Sequence, residues 1–256
     1  EENITFKYSK GKGNIKELLD AIETEIAKKL KYCFKTFKRD FHSSTKSNNK
    51  DNIIKKPKDL IVELVKNHEN LGQAIFNFVY SYYIEQLEKA LNQEDAFDKI
   101  MDFHEDSKGR KEYFAQSLKD LNSNKVEKRI LMNLISLESF FKNIIKTLVR
   151  EDVISTSDFN WLKYLHIKID GENCNLRIFN IEMEYGYEYV GLQNNFIVSP
   201  MTERMYISLA TCVEDKKPYI LYGLPESGKK ETLLSFSKIL GKSLYIYKCS
   251  PYSDQK

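Results

Sequence analysis

The chain is poor in the residues that mark the simplest functional classes. Its four cysteines, Cys33, Cys174, Cys212 and Cys249, are scattered, with no C-x-x-C pair and no histidine nearby. This excludes the usual zinc spacing and suggests reduced thiols in an intracellular protein. No apolar run approaches the roughly 18 residues that span a bilayer, and no secretory leader opens the chain. Neither a Ser–His–Asp order nor a glycine-framed nucleophile appears, so no catalytic residue is nominated. Charge of one sign is also missing. Forty Lys and Arg against 37 Asp and Glu leave +3, too little to call for nucleic acid. The basic clusters Lys28–Lys31 and Lys55–Lys58 read as solvated faces. An initiator methionine is absent as well. The chain opens on Glu1-Glu2 and stops at Gln255-Lys256, so both ends are expected to be cuts through a longer polypeptide.

What is present suits a soluble globular protein: 256 residues, 41% hydrophobic and 30% charged, enough for one large domain or two smaller ones. The first 155 residues read as helix after helix. Apolar positions from Leu18 to Phe41 keep helical spacing. Ser43 to Lys56, rich in Ser, Asn and Lys, is expected to be a mobile loop. Further helices are expected at Pro57–Val65, Leu71–Leu91, Ala96–Leu121 with a break near Gly109, and from an Asn124 cap through Val149. The aromatic stripe from Phe76 to Tyr83 reads as core. Asp102, His104, Glu105 and Asp106 read as a solvated face rather than a metal site. The isolated His42, His68 and His166 read as structural.

After Ser155 the pattern changes. Trp161–Ile169, Asn175–Ile181, Phe196–Ser199, Tyr219–Tyr222 and Ser243–Lys248 have the short, β-branched and aromatic character of strands. Helices are expected at Thr202–Val213 and Lys229–Leu240. The fold class expected is therefore a helical segment, residues 1–155, followed by the start of an α/β domain with a parallel sheet, residues 156–256.

The most informative stretch is Pro218-Tyr-Ile-Leu-Tyr-Gly-Leu-Pro-Glu-Ser-Gly-Lys-Lys-Glu-Thr232. Gly223, Gly228 and Lys229 hold the G-x-x-x-x-G-K spacing of a phosphate-binding loop between a strand and a helix. Such a loop points backbone N–H groups into one concavity and adds the positive end of the helix. The nucleotide-binding stretch continues into Lys230 and Glu231. Lys230 occupies the position that normally gives a hydroxyl to Mg²⁺ and has no acceptor to offer. Thr232 is turned roughly 200° away on a helix and cannot simply replace it. Glu226 would set a carboxylate near the phosphates. These residues argue against Mg²⁺-dependent hydrolysis. They leave open ATP or ADP held without turnover, an empty loop kept as scaffold, and a strand–helix turn that never meets a nucleotide.

The stretch from Phe159 onward resembles the start of the first AAA+ module of dynein heavy chains. The resemblance rests on Asp158-Phe-Asn-Trp-Leu-Lys-Tyr-Leu165, Cys174, Asn180, Tyr185-Gly-Tyr-Glu-Tyr-Val-Gly191, Phe196-Ile-Val-Ser-Pro-Met-Thr-Glu-Arg-Met-Tyr206, Gly223–Thr232 and Lys248-Cys-Ser250. In that family these read approximately as F-x-W-x-x-Q-L, Y-x-Y-E-Y-L-G, L-V-I-T-P-L-T-D-R-C-Y, G-P-A-G-T-G-K-T-E-T and N-C-S, in this order. Val126 to Arg150 resembles the end of the dynein linker.

The resemblance implies an ATP-driven microtubule motor, a ring of AAA+ modules crossed by a helical linker. It places Ile197, Val198 and Pro200 at the adenine pocket and Gly223, Gly228 and Lys229 at the phosphates. Lys230 falls on the magnesium threonine and Glu226 on a loop glycine. The acidic pair and neighbouring arginine that such ATPases use lie outside these residues, so this chain alone is expected not to hydrolyse ATP. The implied partners are the remainder of a dynein-like heavy chain or other axonemal proteins in a microtubule-associated assembly, with no nucleic acid and no membrane. The ciliary axoneme is favoured over the cytoplasm, and a non-motor docking subunit of the axoneme is the second reading.

Overall fold

The computed structural model describes residues 15–46, 56–67, 70–120, 124–192 and 197–249. The helical segment is built from α1 (Ile15–Lys46), α2 (Pro57–Lys66), α3 (Gly72–Leu91), α4 (Ala96–Asp120) and α5 (Lys125–Arg150). In α1 the residues at three- and four-residue steps, Leu30, Cys33, Phe34, Phe37 and Phe41, are buried. Pro57 opens α2 at its first position, where a missing N–H costs nothing. The Asn124 side chain caps α5 by accepting from the Val126 N–H at 3.0 Å. Helix α3 is buried on nearly every side and forms the centre of the molecule.

Two expectations change here. The helix expected to end near Phe41 continues through Lys46, into the stretch read as a loop, whose residues 47–55 lie outside those described. Helix α4 runs unbroken past Gly109, which sits on an exposed face where an added Cβ would meet nothing within 4 Å. Helix continuity costs glycine only about 1 kcal/mol there, which the buried face on either side offsets.

The polypeptide then forms a short helix α6 (Phe159–Leu162) and the strands β1 (Leu165–Asp170), β2 (Asn173–Ile178) and β3 (Ile181–Glu184). Trp161 was expected to begin a strand. Instead Asp158 caps a helical turn, accepting from the Asn160 N–H at 2.7 Å, and β1 starts four residues later. The three strands form an antiparallel sheet in the order β1-β2-β3, with Ile167 opposite Leu176 and Leu176 opposite Met183. The β1–β2 turn at Gly171 takes φ of +59°.

This sheet is fastened to α3. The Tyr80 hydroxyl donates to the Leu165 carbonyl at 2.7 Å, and the Ile169 N–H donates to Ser81 Oγ at 3.1 Å. Lys38 of α1 donates to the Ile169 carbonyl at 2.7 Å. Trp161, Ile167, Leu176 and Ile178 share one apolar cluster with residues of α3 and α5.

The last elements are α7 (Pro200–Glu214) and α8 (Lys229–Leu240). Helix α7 begins two residues before the expected Thr202, because Ser199 and Thr202 form a reciprocal capping box with Pro200 behind it. The expected strands at 197–199, 219–222 and 243–248 are not formed, and no parallel sheet is present among the described residues. A strand needs a lateral neighbour to satisfy its backbone groups. Here Ile220 and Tyr247 stand 87% and 85% exposed and Tyr222 wholly so.

Candidate functional site

The glycine-framed loop leads directly into α8. Gly228 is the N-cap with φ of +80°, a left-handed conformation that glycine adopts without strain. Glu226 adopts φ of +59° in the same loop, which costs a residue with a Cβ about 1–3 kcal/mol. Lys229 folds back over the loop. Its ammonium donates to the Gly223 carbonyl at 2.9 Å, to Ser227 Oγ at 3.1 Å and to the Leu224 carbonyl. These contacts hold the ammonium inside the loop it would serve. Gly228 contributes no side-chain cap, so the first turn of α8 presents its N–H groups and positive end toward the loop.

Lys230 is exposed at the helix surface. Thr232 is buried, and its hydroxyl donates to the Gly228 carbonyl at 3.0 Å. The residues thus suit an anion at the loop but give a divalent cation no hydroxyl at the position after the lysine. Among the described residues no group of three His, Cys, Asp or Glu could hold a metal ion.

Beside the loop, α7 and α8 enclose an open cavity of about 490 Å³. One wall carries Ile197, Met201, Met205 and Tyr206, the other Gly228, Glu231, Thr232 and Ser235. This size falls within the range of small-molecule sites. Of the residues singled out from the sequence, Ile197, Gly228 and Glu231 meet here. Gly223 and Lys229 face each other across the loop. Val198 turns the other way, into a small gap beside Tyr164, Tyr206 and Ile239. Pro200 is spent as the first residue of α7.

Burial shapes the charges around the cavity. It pushes the Tyr206 phenol up to about 12. It raises the Glu203 carboxyl, against the pull of Lys163. It also lowers Lys238, helped by Arg129, while the Lys238 ammonium donates to the Leu192 carbonyl at 3.2 Å.

Sequence reasoning missed Met201 and Met205 as wall residues. Their one-turn spacing on a helix directly after the Ser199 cap is the signal that would have found them.

A left-handed glycine, an inward-folded lysine and a cavity thus come together at the N-terminus of α8. Residues 185–256 match the family described as the hydrolytic ATP binding site of dynein motor region. The chain is 29% identical over 130 residues, 51% of its length, to dynein axonemal heavy chain 1 of Homo sapiens. It is 28% identical over 196 residues, 73% of its length, to the dynein-1-beta heavy chain of the flagellar inner arm I1 complex of Chlamydomonas reinhardtii. It is 24% identical over 176 residues, 63% of its length, to the ciliary dynein beta chain of Tripneustes gratilla. These matches make the chain similar to a segment of dynein heavy chains. It spans 3% to 4% of the length of these relatives.

Proposed function

We propose that this segment couples a helical linker, residues 1–155, to an AAA+ nucleotide site, residues 156–256, that holds ATP or ADP without hydrolysing it, within a dynein-like microtubule motor. The observation that carries the reading is the arrangement of the loop. Lys229 folds onto Gly223 beside the left-handed Gly228 at the start of α8, and a cavity of about 490 Å³ adjoins the loop. In this reading the loop amides and Lys229 hold the phosphates, Ile197 lies against the base, and Glu231 sits at the cavity wall. Val198 and Pro200 shape the segment that carries Ile197. Lys230 takes the place of the magnesium ligand, so nucleotide binding is independent of divalent cation. Glu226 repels the terminal phosphate and favours the diphosphate.

The uncovered segments 219–222 and 243–248 are, in this reading, strands of a parallel sheet whose other members come from the remainder of the heavy chain. The names of the relatives, axonemal, flagellar and ciliary, support a place in the axoneme. Lys230 and Glu226 also favour a second reading, a non-motor docking subunit of the axoneme derived from such a heavy chain.

Equilibrium binding of ADP and ATP to the intact protein, with Mg²⁺ and with EDTA, separates the two. The nucleotide-holding reading expects ADP binding that survives EDTA and weakens at least tenfold in Lys229→Ala. Absence of nucleotide binding in both conditions would overturn it in favour of docking. Mg²⁺-dependent turnover that Lys229→Ala abolishes would overturn the hydrolysis-deficient assignment.

A further inference from the structure

The segment following β3 touches both α8 and α3. Tyr185 is buried, and its ring lies against Gly241, the C-cap of α8. A Cβ built on Gly241 would fall 2.4 Å from that ring, and one on Gly186 would fall 2.5 Å from the Gly241 carbonyl oxygen. The approach therefore requires glycine on both sides. The Gly186 N–H donates to the Leu240 carbonyl and the Glu188 N–H to the Gly241 carbonyl, each at 2.9 Å. These are carbonyls that the end of a helix leaves without an intrahelical partner. The Glu188 carboxylate accepts from the Ser243 N–H at 2.8 Å, and Lys238 donates to the Leu192 carbonyl. The end of α8 is thus held at several points along residues 185–192.

The same residues are held from the other side by α3. Gln73 donates to the Tyr185 hydroxyl at 2.5 Å and to the Glu188 carbonyl at 2.9 Å, and its own carbonyl accepts from the Val190 N–H at 3.1 Å. Asn77, one turn along, donates to the Tyr185 hydroxyl at 2.9 Å. Both amides are at most 4% exposed. Burying two amides is costly unless they are bonded, and bonding fixes direction as apolar packing does not.

We propose that residues 185–192 form a strap that couples α8 to α3, with Tyr185 and Gln73 as its positioning residues. A displacement of α8, whose first turn carries the phosphate loop, is thereby read at the central helix of the helical segment. The functional part of this inference rests on the nucleotide reading above. The strap itself does not.

Hydrogen–deuterium exchange on the intact protein tests it. Without ligand, Gln73→Ala is expected to speed exchange about tenfold in the last turn of α8, residues 237–241, which Gln73 does not touch. The isosteric Tyr185→Phe keeps the ring on Gly241 and is expected to give the same pattern at smaller amplitude, should Gln73→Ala fold poorly. Changes confined to α3 and residues 185–190 in both variants would overturn the strap. With excess ADP, the wild type is expected to gain protection at residues 223–232 and also at 72–78, and Tyr185→Phe to keep the first and lose the second. Loop protection in the wild type without any response at 72–78 would overturn the coupling. No protection at the loop would overturn the nucleotide reading alone, and the ligand-free comparison would still decide the strap.

Discussion

His166 lies in a buried site against Trp161, with ring centroids 4.5 Å apart, and its Nε2 is 3.2 Å from the Trp161 carbonyl. Burial lowers its pKa from the ordinary 6.5 to about 4, helped by Lys168 and Arg177. Above pH 6.5 the ring is neutral in both folded and unfolded chains and costs nothing. As pH falls, the unfolded chain takes up the proton first, so stability drops until about pH 4. The loss should reach about 2 kcal/mol by pH 5. Urea midpoints at pH 7.5 and 5.0 measure it, and His166→Gln should flatten that part of the pH profile. Gly241 makes a second prediction at this scale. With φ of +64° and Tyr185 in the way of a Cβ, Gly241→Ala should destabilise by about 2–4 kcal/mol, read as a lowered denaturation midpoint.

Among the elements, α4 is held to α5 by a buried ion pair. The Glu138 carboxylate accepts from Arg110 Nε at 2.7 Å, from Ser107 at 2.6 Å and from the Tyr83 hydroxyl, while the Arg110 guanidinium also lies over the Tyr83 and Phe103 rings. Removing one partner leaves a buried charge, so Arg110→Met should cost about 3–5 kcal/mol. Arg110→Met combined with Glu138→Leu should recover part of that loss in a thermal melt. The elements differ in how far the sequence reveals them. Helices α2, α3, α5 and α8 announce themselves through Pro57, the apolar run after Leu71, the Asn124 cap and Gly241. Strand β3 is obscured by its length of four residues and the two glutamates that flank Met183. The stretches at 219–222 and 243–248 carry strand-like composition, but composition cannot supply a neighbouring strand. At the candidate site the loop spacing was legible. Gln73 and Asn77 were not, because nothing in an aromatic, apolar helix marks two amides as reaching a segment more than 100 positions away. Their polarity in the largely buried, apolar first half of that helix is the one signal they give.

At the scale of the molecule, the apolar cluster runs without interruption from α1 through α3 and α5 into the sheet and on to Phe236 and Ile239 of α8. The helical segment and the part that follows residue 155 are therefore expected to unfold together. Far-ultraviolet circular dichroism and tryptophan fluorescence should give coincident transitions in urea. A fragment of residues 156–256 would expose Leu165, Ile169 and Tyr185 where α3 now covers them, and it should show no sharp transition. Two separated transitions in the intact protein would contradict this.

The sequence contains a single tryptophan, and that residue is 1% exposed at the junction of sheet and helices, its ring tilted 40° against that of a histidine. The molecule thus carries its own optical probe at the place where its two parts meet. Its emission should be blue and unresponsive to aqueous iodide while the junction is closed. Because a protonated imidazole quenches indole emission more strongly than a neutral one, the same signal should dim as His166 finally takes its proton near pH 4.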